Sequence, residues 1–242
     1  MPRLRDGAEP SSGARAGRGA RARAWLAPAR LPVSRGLVGA ELRVLLAPAG
    51  PWWTLVAAGL WIATLVAPLA LAHGALLPIL WLWALPCWSG LGARDAQAGT
   101  GSIVFSGPAA ARRVTLAGWA AGALLALGLA LPVIVRLAGA GVAGAAAIAA
   151  LAAGAAFVPA FALAAGALNG SAKPFEALYV MLFYVGPMNH VAAMDYVGAT
   201  LPLPNAAPLA AGAPTPQPAL WAALAVTGIA LAWFAQARRL RS

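Results

Sequence analysis

Six apolar stretches, with almost all of the positive charge on one side of them, constrain this chain more than any other feature. They run over residues 52–72, 74–92, 114–135, 139–168, 176–194 and 219–236. Each comes near the length needed to cross a hydrocarbon core of roughly 30 Å at 1.5 Å per helical residue. The expectation is an all-α membrane protein with six transmembrane helices. Of the 17 Lys and Arg residues, nine precede the first stretch, three lie between the second and third, Lys173 lies between the fourth and fifth, and three follow the sixth. If the stretches cross alternately, those segments share one face and only Arg136 lies on the other. The positive-inside bias then places both termini in the cytoplasm.

Composition narrows the class further. The chain is 62% hydrophobic and 10% charged, too apolar for one soluble core and with little sequence left for a separate soluble domain. A net charge of +11 raises nucleic acid as a partner. The basic residues instead flank apolar stretches and lack a folded module with interleaved aromatics, so topology and contact with anionic membrane lipids account for them and no nucleic-acid partner is expected. The single cysteine, Cys87, sits inside the second stretch and cannot form an internal disulfide.

The organisation along the chain follows from the same patterns. Residues 1–35 form a basic segment rich in Gly, Ala, Ser and Arg, without an apolar period, and are expected to be disordered. No h-region follows at signal-peptide distance. Residues 36–50 mix Leu and Val with Glu41 and Arg43 and stop at Pro48, Gly50 and Pro51, which predicts a short amphipathic helix at the membrane interface. A six-helix membrane domain is expected over 51–238. Only His73 separates the first two apolar runs, so a tight hairpin is expected there. Pro68, Pro78 and Pro86 each leave a carbonyl without its helical partner. Trp52, Trp53, Trp81, Trp83 and Trp88 fit interfacial or packing positions. Six prolines within residues 201–218 forbid a continuous helix and mark an external connector.

Residues 93–113, ARDAQAGTGSIVFSGPAAARR, are the most polar internal segment. Two antiparallel helices need only a handful of residues to connect them, so the excess is expected to fold back as one or two short surface helices. This run resembles the loop after the second helix of ABC-2 type transporter permeases, in which an acidic residue precedes a Gly-Thr pair, an apolar turn, a small residue and Pro. The run GSAKPFEALYVMLFYVGPMNHVAAMDYVGAT is similar to the fifth-helix region of a bacterial subgroup of that family. With ELRVLLAPAGPWW and LLPILWLWALPCWSGLGARD at the first two spans, the resemblance covers roughly residues 38–200. It implies a bacterial inner-membrane permease with six helices, pairing with a second permease half and binding a cytosolic ABC ATPase subunit. It also implies an ATPase-coupling loop at 93–111 carrying Arg94, Asp95, Gly99, Thr100, Phe105, Ser106 and Pro108. The chain departs from the family pattern at Asp95, where Glu is usual, and at Gly101 and Ser102, where a charged residue is common.

Chemistry within the chain is sparse. The only lysine, Lys173, stands in GSAKPF without the frame of a phosphate-binding loop, so ATP hydrolysis is expected in a separate subunit and the chain is not expected to be an enzyme. Gly139, Gly141 and Gly144 match a dinucleotide-binding spacing but follow no strand; like Gly118 and Gly122 they read as helix-packing positions. Ser89 and His73 fall at opposite ends of the second stretch and form no dyad. His190, Met188 and Asp195 lack a repeated metal-ligand spacing, so no metal, catalytic residue or cofactor is expected. Glu176 begins the fifth stretch near Lys173, where a carboxylate suits the helix N-terminus. Gly186 and Pro187 should bend or break that helix, with Asn189 and Asp195 following as an interfacial polar cluster.

Two functional classes result. One is the membrane subunit of an ABC-type exporter. The other is a polytopic anchor or assembly subunit whose polar loop docks another protein.

Overall fold

A computed structural model describes residues 36–99, 110–201, 203 and 217–239, and no strand occurs among them. The basic segment 1–35 and most of the proline-rich connector lie outside the described residues. Helix α1 (Leu37–Leu46) stands at 102° to α2 (Pro51–Val66). Pro51 opens α2 at a position where its missing N–H costs no hydrogen bond. The helix stops at Val66 because Ala67, preceding Pro68, is extended (φ −66°, ψ 155°).

The chain then turns back through α3 (Leu69–Leu71), a π-helical turn (Ala72–Leu76), α4 (Leu77–Trp83) and α5 (Leu85–Ser89). Paired indoles tie the two arms together: Trp53 Nε1 donates to the Trp83 carbonyl at 2.8 Å, and Trp83 Nε1 to the Trp53 carbonyl at 3.1 Å. The hairpin therefore turns at Ala67–Pro68 and not at His73. Proline at the turn decides this, and His73 falls within the second arm, where it is 1% exposed.

A short helix, α6 (Arg94–Ala98), ends on Gly99, whose φ of 65° favours glycine. Two long helices follow, α7 (Ala110–Ala138) and α8 (Gly141–Asn169). Gly141 (φ 65°) opens α8, and Gly144 sits so close to α7 that a Cβ there would lie 2.1 Å from the Leu137 carbonyl oxygen. The spacing of these glycines thus serves a tight interhelical turn. Helix α9 (Lys173–Phe183) runs into a second π-helical turn (Tyr184–Met188), a 3-10 turn (Ala192–Met194) and, beyond the connector, α10 (Gln217–Arg239).

Three helices, Ala111–Ala138, Ala143–Asn169 and Pro218–Arg238, are long and apolar enough to cross a membrane, and a fourth crossing is available if α1 and α2 count as one bent span. The apolar stretches at 114–135, 139–168 and 219–236 thus became continuous helices. The other three are interrupted. The stretch at 52–72 ends as a helix at Val66, that at 74–92 is divided by a π turn and by Ala84, and that at 176–194 stays helical only to Met188.

Helix α8 is the central element: 67% of its apolar window is buried, against 39% for α7 and 22% for α10. Its alanines and glycines let neighbours approach to backbone distance, which suits an environment where association depends on close packing and hydrogen bonds. A Cβ on Gly122 of α7 would lie 2.5 Å from Pro159 Cβ, and one on Gly228 of α10 would lie 3.0 Å from the Ala160 carbonyl oxygen. Trp81 and Trp88, both fully buried, donate to the carbonyls of Ala126 and Gly122 at 3.2 Å. An indole N–H in an apolar interior needs such a partner, and helical carbonyls keep a second lone pair for it.

Candidate functional site

Polar side chains gather at two opposite ends of this bundle. The first end is marked by the start of α7 and the finish of α10, which Thr115 Oγ1 and Gln236 Oε1 join at 2.5 Å. Here Arg94 Nη2 donates to Glu41 Oε2 at 2.8 Å, with the side chains 31% and 16% exposed. That ion pair fastens α6 to α1. The backbone just before α6 rests directly on α8: a Cβ on Gly92 (φ 75°) would lie 2.3 Å from the Leu163 carbonyl oxygen, and one on Gly166 would lie 2.2 Å from that of Leu91.

Asp95 is half-buried in the first turn of α6, where the helix dipole favours a carboxylate, and Gly99 caps the helix. Thr100, Phe105, Ser106 and Pro108, the remainder of the expected coupling loop, lie outside the described residues. Arg94 is thus committed to Glu41, a pairing across 53 positions of sequence that no local spacing announces. Nearby, Lys173 Nζ lies 3.2 Å from Glu176 Oε2 on an exposed surface, a pair of small energetic weight.

The opposite end is built around Asp195, which is fully buried. Its carboxylate accepts backbone N–H bonds from Val197 (3.1 Å), Gly198 (2.9 Å) and Thr200 (2.7 Å). Its own carbonyl accepts Trp221 Nε1 of α10 at 3.1 Å. The turn 195–200 is folded around this side chain and packed onto α8, since a Cβ on Gly154 would lie 1.9 Å from the Tyr196 carbonyl oxygen. Asp195, placed by the sequence in an interfacial polar cluster, is thus buried within the protein, where a carboxylate satisfied by three main-chain donors is stable.

Gly186 and Pro187 are both buried in the second π turn. Gly186 abuts the 3-10 turn, where a Cβ would lie 2.1 Å from the Met194 carbonyl oxygen. Asn189 closes the broken helix by donating from Nδ2 to the Tyr184 carbonyl at 2.5 Å, and His190 takes a φ of 56°. The two π-helical turns pack against each other, which brings His73 to the same end as Asp195, within electrostatic reach of its carboxylate and against the Val197 main chain.

Beside this turn runs a continuous set of aromatic rings. Tyr179 and Tyr196 lie 5.5 Å apart, Trp81 and Tyr196 6.2 Å, Phe157 and Trp221 4.6 Å, and Trp88 and Tyr179 6.2 Å between centroids. At this same end His73 Nε2 is buried without a protein hydrogen-bond partner. Buried polar atoms of this kind are ordinarily satisfied by ordered water. The sequence does not mark His73, Tyr179, Tyr196 or Trp221 as site residues. The one local signal is the run Asp195-Tyr196-Val197-Gly198-Ala199-Thr200, an Asp followed by a glycine with φ 77°, as side-chain-supported turns require.

Arg136, the cation placed apart by the charge pattern, also marks this end: its Nη1 donates to the Thr64 carbonyl at 2.6 Å. That carbonyl lies in the last turn of α2, where Pro68 removes any continuing helical donor. Among the described residues no group of three or more His, Cys, Asp or Glu side chains is placed to hold a metal ion. No family model, curated protein or solved structure matches the chain.

Proposed function

We propose that this chain is the membrane permease subunit of an ABC-2 type transporter, an exporter of a bacterial inner membrane that is driven by a separate cytosolic ATPase. In this reading six passes cross the bilayer with both termini in the cytoplasm, and a second permease half, identical or homologous, completes the substrate path. Its support is the resemblance of residues 38–200 to such permeases, together with the charge asymmetry of the segments between apolar stretches.

The single observation that carries the mechanism is the anchoring of α6. The helix follows a backbone segment seated on the central helix at Gly92 and Gly166, and it is tied to α1 by Arg94–Glu41. A force applied to α6 by a docked ATPase therefore meets the bundle through backbone contacts and one ion pair, with little slack between. Nucleotide-driven closure of the ATPase would be transmitted along this route.

The docking test should spare Arg94, because its charge holds α1. Asp95→Lys together with Gln97→Lys changes the charge of α6 and leaves the Arg94–Glu41 ion pair in place. Loss of co-purification with the ATPase, with membrane insertion retained, is the expected result. Undiminished association and ATP hydrolysis in the reconstituted complex would remove α6 from the coupling route and favour the anchor reading.

A further inference from the structure

The face formed by α7 and α10 carries a groove of about 380 Å³ lined by Arg112, Thr115, Leu116, Val226, Ile229, Ala230 and Trp233. We propose that this groove binds an anionic phospholipid, with its phosphate on Arg112 and an acyl chain lying along α10 as far as Val226. The proposal rests on insertion of the long apolar helices in a bilayer and is independent of the transporter assignment.

Three observations fix the occupant. The lining is apolar apart from Thr115 and one charge, the Arg112 guanidinium, and among the described residues it includes no carboxylate. The charge sits at one end only. Because Thr115 contacts Gln236, the start of α7 and the finish of α10 are level, so Arg112 and Arg113 share that end with Arg238, which lies 5.4 Å over the Phe234 ring. Val226 lies about 15 Å along α10 from Gln236 by the helical rise, which matches one leaflet of a hydrocarbon core roughly 30 Å thick. A basic mouth at the headgroup level and an apolar floor one leaflet deep are what a phospholipid with net negative charge presents in mirror image.

The test uses the full chain reconstituted in phosphatidylcholine vesicles that contain a minor fraction of acyl-brominated phosphatidylglycerol, with acyl-brominated phosphatidylcholine in the parallel sample. Bromine quenches indole fluorescence on contact, and Trp233 is the indole within the groove. Quenching by the anionic lipid should exceed that by the neutral lipid, and the excess should vanish in Trp233→Phe. It should fall about fivefold in Arg112→Gln, as expected for one basic group at a membrane surface, and be retained in Arg112→Lys.

Equal quenching by the two lipids, or an excess undiminished in Arg112→Gln, overturns the proposal. A disulfide-linked dimer formed by Val226→Cys in a Cys87→Ala background would assign the groove to a second copy of the chain and overturns it as well. Quenching of the other indoles by both lipids reports insertion itself, so failure of the site and failure of the membrane reading give different results.

Discussion

Asp195 shows how much one side chain can organise when the surroundings are apolar. Its carboxylate satisfies three main-chain donors in a turn that would otherwise bury them unpaired. Its carbonyl ties α10 to that turn through Trp221. Each buried donor left unsatisfied costs roughly 1–3 kcal/mol, so Asp195→Ala should destabilise the chain by about 3 kcal/mol or more. Asp195→Asn keeps one acceptor oxygen and should fall between the variant and the parent. Thermal unfolding of the detergent-solubilised chain measures both, and a midpoint unchanged in Asp195→Ala would show that the turn is held by its packing on Gly154 instead. The Asp195-to-Gly198 spacing is compatible with a side-chain-supported turn, but the burial of the carboxylate is not legible in it, because its partners are backbone groups whose position depends on the turn it creates.

Among the helices, the decisive events are interruptions. Pro68 ends α2 by restricting Ala67 to an extended conformation, and the two π-helical turns, Ala72–Leu76 and Tyr184–Met188, then meet. π-helical turns concentrate at functional positions in other proteins, since the extra residue re-aims side chains; here they bring His73 toward Asp195. In the sequence Gly186 and Pro187 both point to a helix bend, but the structure gives them different tasks. Pro187 lacks an N–H, whereas Gly186 leaves room for the Met194 carbonyl, 2.1 Å from where a Cβ would stand. Gly186→Ala should therefore lower the unfolding midpoint far more than Pro187→Ala, which restores a donor without adding bulk at that contact. Similar midpoints for the two variants would place the break under the control of the proline. The prolines and glycines were legible as breakers, while the choice of a π turn was not, because it follows from the elements packed against it.

For the whole molecule, the charge pattern makes a prediction that the proposed transporter requires. Reporters fused after Ser34, near Ala172 and after Arg241 should read cytoplasmic, and one near Ala210 should read external. An external signal at the N- or C-terminal fusion would remove the six-pass arrangement. Within the bundle, Trp53 with Trp83 and Thr115 with Gln236 lie toward one end, and Thr64 with Arg136 toward the other. The lightly buried face of α10 leaves Val226, Trp233 and Phe234 exposed, and it is this face that the lipid experiment interrogates.

The sequence by itself determined that the chain is helical, apolar and suited to a membrane, because helix length and mean hydropathy are local quantities. It also located the long helices α7, α8 and α10 to within a few residues, but it left Pro68 inside a continuous span and put the first hairpin turn at His73. Only the tertiary structure decided that His73 is buried within electrostatic reach of Asp195, that Arg94 is held by Glu41, and that Arg136 closes the end of α2. Each of those pairings joins residues separated by 53 or more positions along the chain. Their chemistry depends on which helices touch, and that is set by close packing around the small residues of α8.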